Sequence, residues 1–404
     1  MKVAMNKIVN EINGDFFIND EKGKNISGKL IIYEDGSFEL NTDKPFSNND
    51  KVIEENIYCK FSDSYISIPS PMYKIKTTGG ISFGCEPVQK CILFGSILIV
   101  GTSYLDDVGS LKIKEFSCNI DCDNWFFENC YHEIQNYDNL MQKKVSLKYN
   151  DVNIIITSTH SFQSGKRTSQ IAIASNKLLD YDYVQDVLHK VITFISFGAK
   201  NIVRQYGYKI IDDEDEVFTI NYKPSFSSET IQGNNFCLFH YNTNDVQNVF
   251  CKWNLIMSEA EHLLRLYFLP SMNKLDLVLK FITYSQVIEC LHRKLTKDND
   301  KTYIQRIEDV ILDEAYVDFL DNESREGLDV LLRDTRNYYT HYNDSKYTNI
   351  PDGIDLFYLT LKLELLIELF ILKNLGFSYD DFEKIKFNVI DHKLRRRENM
   401  EKYR

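Results

Sequence analysis

An arginine and a histidine lie five positions apart on a predicted helix near residue 340. Residues 324–344 read SREGLDVLLRDTRNYYTHYND, and Arg336 and His341 fall about 140° apart around a regular helix. They stand at the two edges of one polar face, with Asn337 and Thr340 between them. Arginine neutralises a phosphate with its planar fork, and histidine transfers protons near neutral pH. This geometry suits a phosphodiester held from two sides, or a cleft that a second copy of the helix completes.

The same segment divides into an apolar stripe and a polar stripe. Arg333 and Asp344 extend the polar stripe. Either Asn322 or Ser324, both competent N-caps, is predicted to begin the helix. The apolar stripe, which is predicted to pack in the core, consists of Leu328, Leu331, Leu332, Thr335, Tyr339 and Tyr342. We therefore predict an amphipathic helix whose solvent side holds the chemistry.

Four further helices are predicted in the second half of the chain. After Asp245 the apolar residues recur with the helical period of about 3.6 residues. Pro270 is predicted to stop the first of these helices, and Gly376 to end the last as a C′ residue. The predicted helices cover residues 246–267, 274–295, 303–312 and 354–375. Five helices in this part of the chain indicate an α-helical bundle.

The first half is predicted to be rich in β-strands. Asp35-Gly36 lies between two β-prone runs, 26–34 and 37–40, which is typical of a hairpin. Ser, Asn and Thr dominate residues 225–245 and indicate a boundary. Further strands are predicted at 65–68, 81–83, 91–100, 152–157, 169–174 and 218–222, with one helix at 183–197. We predict an α+β chain with a β-rich domain over 1–240 and an all-α domain over 241–404.

The motif and its surroundings resemble a known family. Arg336-Asn337 followed by His341 looks like the Arg-x4–6-His motif of HEPN domains, many of which are metal-independent ribonucleases. Residues 284–295, YSQVIECLHRKL, are similar to the Glu-x-Leu-His-Arg stretch of ApeA-like HEPN proteins. In the first half, residues 14–18, 26–30, 93–104 and 124–125 resemble the β-rich N-terminal domain of ApeA proteins. These are bacterial single-protein anti-phage systems.

The resemblance implies an endoribonuclease with an N-terminal sensor or regulatory domain. A ribose 2′-OH attacks its own 3′ phosphate and leaves a 2′,3′-cyclic phosphate and a 5′-OH, with no metal and no cofactor. His341 is the expected general acid or base, and Arg336 is expected to stabilise charge in the transition state. Asn337 is expected to bind phosphate or orient its neighbours, and Glu289 to support Arg336 across the bundle.

Candidate RNA contacts lie beside the motif and in the C-terminal tail. Tyr338 could stack on a splayed base. The tail, DHKLRRRENMEKYR, is the one clear basic run of the sequence. The candidates are Arg333, Tyr338, Thr340, Arg395, Arg396 and Arg397.

The composition limits the partners of such an enzyme. With 47 Lys+Arg and 59 Asp+Glu the net charge is −12, which argues against nonspecific coating of nucleic acid but allows a local basic cleft. A structured RNA held at few phosphates, such as tRNA, is the predicted target. The family implies a homodimer or higher homo-oligomer and an unknown phage-derived trigger. The sequence shows no membrane span, no signal peptide and no regular cysteine pattern, so a cytoplasmic location is predicted.

Two alternatives remain open from the sequence. The first is a non-catalytic HEPN module that binds a partner within a defence or toxin–antitoxin system. The second is a zinc-dependent nucleic-acid binder built on Cys118, Cys122, Cys130 and His132, whose spacings match no usual zinc pattern.

Overall fold

The chain is α+β, as predicted. In its described residues, strands extend up to residue 222 together with two α-helices and a short 3-10 helix, and helices follow from residue 246 onward. The structure is a computed structural model. It describes residues 8–18, 25–33, 36–42, 44, 46, 55–78, 88–95, 97–126, 140–161, 167–222, 237–273, 275–320, 325–342, 349–391 and 393–394.

Fourteen strands form one antiparallel sheet. Their order across the sheet is β10-β11-β12-β9-β13-β14-β8-β5-β4-β1-β2-β3-β7-β6. Alternate residues point to opposite faces, so Phe16, Ile57 and Ile66 reach the core from neighbouring strands. The strands are β1 (Ile8–Ile18), β2 (Ile26–Tyr33), β3 (Phe38–Thr42), β4 (Ile57–Phe61), β5 (Ser64–Ile68), β6 (Met72–Thr78), β7 (Val88–Phe94), β8 (Ile97–Gly101), β9 (Lys112–Asp121), β10 (Leu140–Tyr149), β11 (Val152–Ser161), β12 (Arg167–Asp180), β13 (Arg204–Asp212) and β14 (Val217–Tyr222).

The predicted hairpin joins β2 to β3. Leu30 is the register partner of Leu40, and the Tyr33 N–H donates to the Ser37 carbonyl at 2.9 Å. Gly36 has φ +82°, a conformation that glycine adopts without the steric penalty of a Cβ. The hairpin is therefore confirmed. Its Asp35 lies outside the described residues.

The apolar run 91–100 was wrongly predicted as a single strand. It belongs to two strands, because β7 ends at Phe94 and β8 begins at Ile97. β7 pairs with β3 and β6, whereas β8 pairs with β14 and β5. A Cβ on Gly95 would lie 2.5 Å from the Phe38 ring, so the chain between the two strands passes close to β3. The predicted strand at 81–83 lies outside the described residues.

The helices follow the predicted pattern with shifted ends. Pro270 does not stop the first long helix at once: the helix continues two residues further, to Met272, although proline lacks the N–H that would bond the carbonyl four residues earlier. Gly376 ends the last long helix with φ +88°, as predicted. The helices are α1 (Asp123–Phe126), α2 (Tyr181–Ala199), α3 (Val246–Met272), α4 (Leu277–Thr296), α5 (Tyr303–Ile311), α6 (Leu328–His341), α7 (Gly353–Leu375) and α8 (Tyr379–Ile385).

The chain divides into two compact units. The first consists of the described residues within Met1–Asp123, Glu133–His189 and Arg204–Gln232, and it holds the sheet. The second consists of the described residues within Asn124–His132, Lys190–Val203 and Gly233–Arg404. The sequence did not indicate that two segments from the first half join the unit of the C-terminal helices.

Buried charges lie at the centre of the helical unit. Glu368 of α7 is fully buried and accepts from Lys200 at 2.5 Å, from Lys393 at 3.0 Å and from the Tyr267 hydroxyl at 3.0 Å. Lys393 also lies 3.2 Å from Glu364. Burial raises the pKa of Glu364, but the attraction of Lys393 and Lys200 outweighs this and lowers it to about 2. Both carboxylates therefore belong to one buried network with Lys200 and Lys393.

Among the described residues, no helix combines the length and the apolar character that a membrane span needs.

Candidate active site

Arg336 lies on the side of α6 that packs against α4 and α5. The Arg336 Nη2 donates to Glu289 Oε2 of α4 at 3.2 Å. The guanidinium carbon lies 5.1 Å from the centre of the Tyr303 ring of α5, in cation–π range. The Arg336 side chain remains 31% exposed. The guanidinium is thus held on two sides and open on a third.

Tyr303 supplies a neutral aromatic surface for this cation. It is the first residue of α5, whose start is fixed by a capping box between Thr302 and Gln305. Burial raises the pKa of Tyr303 to about 12, and the Arg336 charge acts in the opposite direction. The ring therefore stays uncharged near neutral pH and offers its negative face to the guanidinium.

Glu289 is shared between two arginines. Its Oε2 accepts from Arg336, and its Oε1 accepts from Arg293 Nη2 at 3.0 Å. Glu289 and Arg293 lie one helical turn apart on α4, so the second contact is an ion pair within that helix. One carboxylate and two guanidinium groups carry a net charge of +1. The catalytic contribution of Glu289 stays a prediction.

His341 stands apart from this cluster. It is the last residue of α6 and is exposed to solvent. Within the described part of the chain, its imidazole makes no hydrogen bond and no ion pair. Tyr342 follows with φ 49° and ends the helix. A single α6 therefore presents one anchored guanidinium and one unengaged imidazole on different sides of its polar face.

Asn337 and Thr340 are engaged with Arg336. The Asn337 Oδ1 accepts from Arg336 Nη1 at 3.3 Å. The Thr340 hydroxyl donates to the Arg336 carbonyl one turn earlier in the helix, at 2.7 Å, which occupies its one donor. Asn337 is thus placed to orient the arginine, whereas Thr340 offers little hydrogen-bonding capacity to a ligand.

The remaining RNA-contact candidates are distributed around α6 and beyond it. The Arg333 Nε donates to Asp334 at 2.8 Å, and both side chains are half-exposed. The Tyr338 ring packs against Tyr339 with centroids 5.2 Å apart and against Tyr342 at 5.8 Å. These three tyrosines form an aromatic cluster at the His341 end of the helix. Arg395, Arg396 and Arg397 lie outside the described residues.

The predicted apolar stripe of α6 is only partly correct. Leu328, Leu332 and Thr335 are buried, but Leu331 is 37% and Tyr342 is 66% exposed. The buried side of α6 lies nearer to Arg336 than the predicted stripe does, because α4 and α5 pack against that side of the helix. The proposed starts at Asn322 and Ser324 lie outside the described residues, and Gly327 precedes the first residue of α6.

One helical turn after Glu289, His292 of α4 joins a polar network with residues of α5 and of the loop before it. The sequence analysis did not predict this network. His292 Nε2 lies 2.9 Å from Asp309 Oδ2, and its Nδ1 lies 3.3 Å from Nη1 of Arg306. Arg306 is fully buried and also donates to the Asp298 carbonyl at 2.7 Å. Because Arg306 can only donate, Nδ1 must accept and Nε2 must carry the proton toward Asp309. This network fixes α5 against α4, and hence Tyr303 under Arg336.

This histidine predicts a pH dependence of stability. Burial lowers the pKa of His292, with the Asp309 charge opposing, so the folded state holds it neutral below its ordinary value of 6.5. The unfolded chain takes up the proton first, and stability is lost as the pH falls below about 6.5. We expect the melting temperature of the wild type to fall between pH 7 and pH 5.5 more steeply than that of His292→Gln. Equal slopes would contradict the assignment.

The zinc alternative remains untested. Cys118 and Cys122 are buried, and Cys130 and His132 lie outside the described residues. Burial raises the pKa of Cys118 to about 12, which favours the thiol over the metal-binding thiolate. Among the described residues, no three His, Cys, Asp or Glu side chains come together as a metal site.

Comparison with known proteins identifies the region that holds this site. Residues 282–381 match the family model described as Apea-like HEPN. The matched segment contains Glu289, Tyr303, Arg336 and His341. In general terms, this family points to a nuclease or an RNA-related defence role. No curated protein and no solved structure matched the chain.

Proposed function

We propose that the region matched by the Apea-like HEPN family model, residues 282–381, is a metal-independent endoribonuclease domain that acts in anti-phage defence. One observation carries the proposal. On a single helix, Arg336 is anchored by Glu289 and Tyr303 while His341 is exposed and unengaged by the described residues. An anchored cation can stabilise the developing charge and an exposed imidazole can transfer a proton, which are the roles that phosphodiester transfer requires when no metal takes part.

The reaction follows from the chemistry of these two side chains. The ribose 2′-oxygen attacks the adjacent phosphorus, its proton passes to a base, and the bond from phosphorus to O5′ breaks as O5′ gains a proton. The products carry a 2′,3′-cyclic phosphate and a 5′-OH. His341 acts as the base or as the acid. Arg336 stabilises the added negative charge on the phosphoryl oxygens. DNA lacks the nucleophile and is not a substrate.

We propose that the active form is a homodimer in the cytoplasm. One imidazole cannot remove and deliver a proton at the same time, so the reaction is better served by two copies of α6. The His341 side of α6 also exposes apolar surface: Val330 is 41%, Leu331 37% and Tyr342 66% exposed. A second copy would cover this surface and bring a second His341 to the phosphate.

The RNA target is proposed to be structured, with tRNA as the first candidate. The chain has a net charge of −12, so the attraction for a polyanion must come from local positive clusters such as the one around Arg336. Such a site favours an RNA whose shape presents a few phosphates. The β-rich unit is proposed to hold the enzyme latent until a phage-derived trigger arrives.

Incubation of the purified protein with total RNA in excess EDTA tests the proposal. The reaction is run with and without extract from phage-infected cells, so that a latent enzyme is also detected. Wild-type protein is expected to produce discrete fragments, and Arg336→Ala is expected to produce about 10²–10³-fold fewer per unit time. Cleavage of unstructured RNA with tRNA left intact would overturn the proposed target. No cleavage under either condition would favour a non-catalytic HEPN module.

The aromatic support of Arg336 gives a separate prediction. Tyr303→Leu removes the cation–π contact, whereas Tyr303→Phe keeps the ring and removes only the hydroxyl. We expect Tyr303→Leu to lower kcat by about tenfold, because the guanidinium loses a fixed position and about 1–2 kcal/mol of interaction. Tyr303→Phe should retain most of the activity.

A control separates this effect from a general loss of packing. Tyr316 is also fully buried and bonds the Val310 carbonyl, with no contact to Arg336 among the described interactions. Tyr316→Leu should lower the melting temperature while kcat of the folded fraction is unchanged. Equal kcat values for Tyr303→Leu and Tyr303→Phe would contradict the prediction.

A further inference from the structure

Arg293 shares a carboxylate with the arginine that is proposed to act on the scissile phosphate. Glu289 holds Arg336 on one oxygen and Arg293 on the other, at 3.2 Å and 3.0 Å. The two guanidinium groups therefore contact the two oxygens of the same carboxylate. Glu289 is 18% exposed, whereas Arg293 is 42% exposed, so the carboxylate lies beneath and the second guanidinium reaches solvent.

We propose that Arg293 is a second RNA-binding residue, which contacts a phosphate next to the scissile one while Arg336 contacts the scissile phosphate itself. This inference rests on the proposed ribonuclease function. It names a residue outside the Arg336–His341 motif and assigns it a ligand of stated chemistry, the phosphodiester backbone of one RNA strand.

The charge of the cluster supports this assignment. Two guanidinium groups and one carboxylate leave a net charge of +1, on a chain whose net charge is −12. Arg306 lies behind them but is not available to a ligand, because it is fully buried and is bonded to His292 and to the Asp298 carbonyl. Glu289 and its two arginines therefore form a local site of positive charge that favours an anion.

The hydrogen-bonding state of Arg293 agrees with a role beyond the helix. Its Nη2 is bonded to Glu289, and its Nε is buried without a hydrogen-bond partner among the described residues. Glu289 reduces the repulsion between the two guanidinium groups before RNA arrives. The arrangement is therefore preformed, which lowers the cost of ordering both side chains on binding.

The competing explanation is that Arg293 only forms an ion pair with Glu289, one turn earlier in the same helix. Another ion pair of the chain provides a matched control. Arg265 pairs with Glu261 on α3 at 2.5 Å with the same spacing of four residues, and it contacts none of the site residues in the described interactions. If Arg293 served only its helix, Arg293→Gln and Arg265→Gln would behave alike.

The test measures RNA binding without cleavage. Full-length wild-type protein, Arg293→Gln, Arg293→Lys, Arg265→Gln and Arg336→Gln are titrated by fluorescence anisotropy. The ligand is a labelled 2′-O-methyl RNA stem-loop with the sequence of a tRNA arm, whose single-stranded loop presents the phosphates. Salt is varied between about 50 and 200 mM, a range over which phosphate contacts weaken strongly. The 2′-O-methyl group blocks the nucleophile, so the measurement does not depend on activity.

Each variant has a distinct expected slope of log K against log salt. Arg293→Gln should reduce the slope by about 0.7, the value for one lost contact to a single strand, and Arg336→Gln should do the same. Arg293→Lys should keep the slope because the charge is retained, with weaker binding because the planar fork is lost. Arg265→Gln should match the wild type.

The outcomes separate this inference from the proposed function. If Arg336→Gln reduces the slope and Arg293→Gln does not, the Arg293 inference is overturned while the ribonuclease proposal stands. If the wild type does not bind the RNA, or if no variant at the site changes the slope, both fail. Arg293→Lys is the control for disruption of the site, because it conserves the charge. A change of slope in this variant would show that the site has been disrupted, and it would also count against the assignment.

Discussion

His341→Ala is expected to reduce the rate of RNA cleavage by about 10²–10⁴-fold, the range for loss of one general acid or base. The side chain is exposed at the end of α6, and its imidazole makes no hydrogen bond with the described residues. RNA binding should be nearly unchanged because Arg336 and Glu289 are untouched. The effect should therefore appear in kcat and not in KM.

A second surface histidine provides the control. His262 is exposed within α3, so His262→Ala removes an exposed imidazole from a helix position outside the proposed site. Both variants should have the melting temperature of the wild type, because neither imidazole is buried. Cleavage by His341→Ala at the wild-type rate would contradict the assignment of the proton-transfer group.

Glu368→Ala is expected to lower the free energy of unfolding by about 3–5 kcal/mol, the loss seen when one partner of a buried ion pair is removed. Glu368 is fully buried and bonds Lys200, Lys393 and the Tyr267 hydroxyl. Its removal leaves two ammonium groups with only Glu364 nearby. Domain stabilities are commonly about 5–15 kcal/mol, so much of the helical unit's stability depends on this residue.

Denaturant unfolding followed by circular dichroism measures this loss. Glu368→Gln should be destabilised less than Glu368→Ala, because the amide keeps one acceptor for the tyrosine hydroxyl and fills the space. Glu259→Ala removes an exposed ion pair with Lys297 and should change little. An unfolding free energy of Glu368→Ala equal to that of Glu259→Ala would contradict the importance of the buried network.

Features set by neighbouring residues were accessible from the sequence. The hairpin at Asp35-Gly36 and the end of α7 at Gly376 depend on local backbone geometry, and both were predicted correctly. The Glu289–Arg293 contact follows from the spacing of one helical turn. The positions of Arg336 and His341 around α6 also follow from the helical period alone.

Features set by tertiary packing were not accessible. Nothing around Tyr303 indicates that its ring lies under Arg336, since the two residues are brought together by the packing of α5 on α6. Lys200 and Lys393 are far from Glu368 in sequence, so the buried network has no local signature. The split of residues 91–100 between β7 and β8 depends on partner strands elsewhere in the chain.

The products of cleavage test the central proposal most directly. A tRNA substrate is cleaved in excess EDTA by the triggered wild-type protein, and the fragment ends are identified by mass spectrometry, alongside the same RNA with 2′-deoxyribose at the mapped cleavage position. The proposal predicts a 2′,3′-cyclic phosphate and a 5′-OH at the break, and no cleavage at the deoxy position. Fragments with a 5′-phosphate and a 3′-OH, or cleavage that persists at the deoxy position, would contradict transesterification by Arg336 and His341.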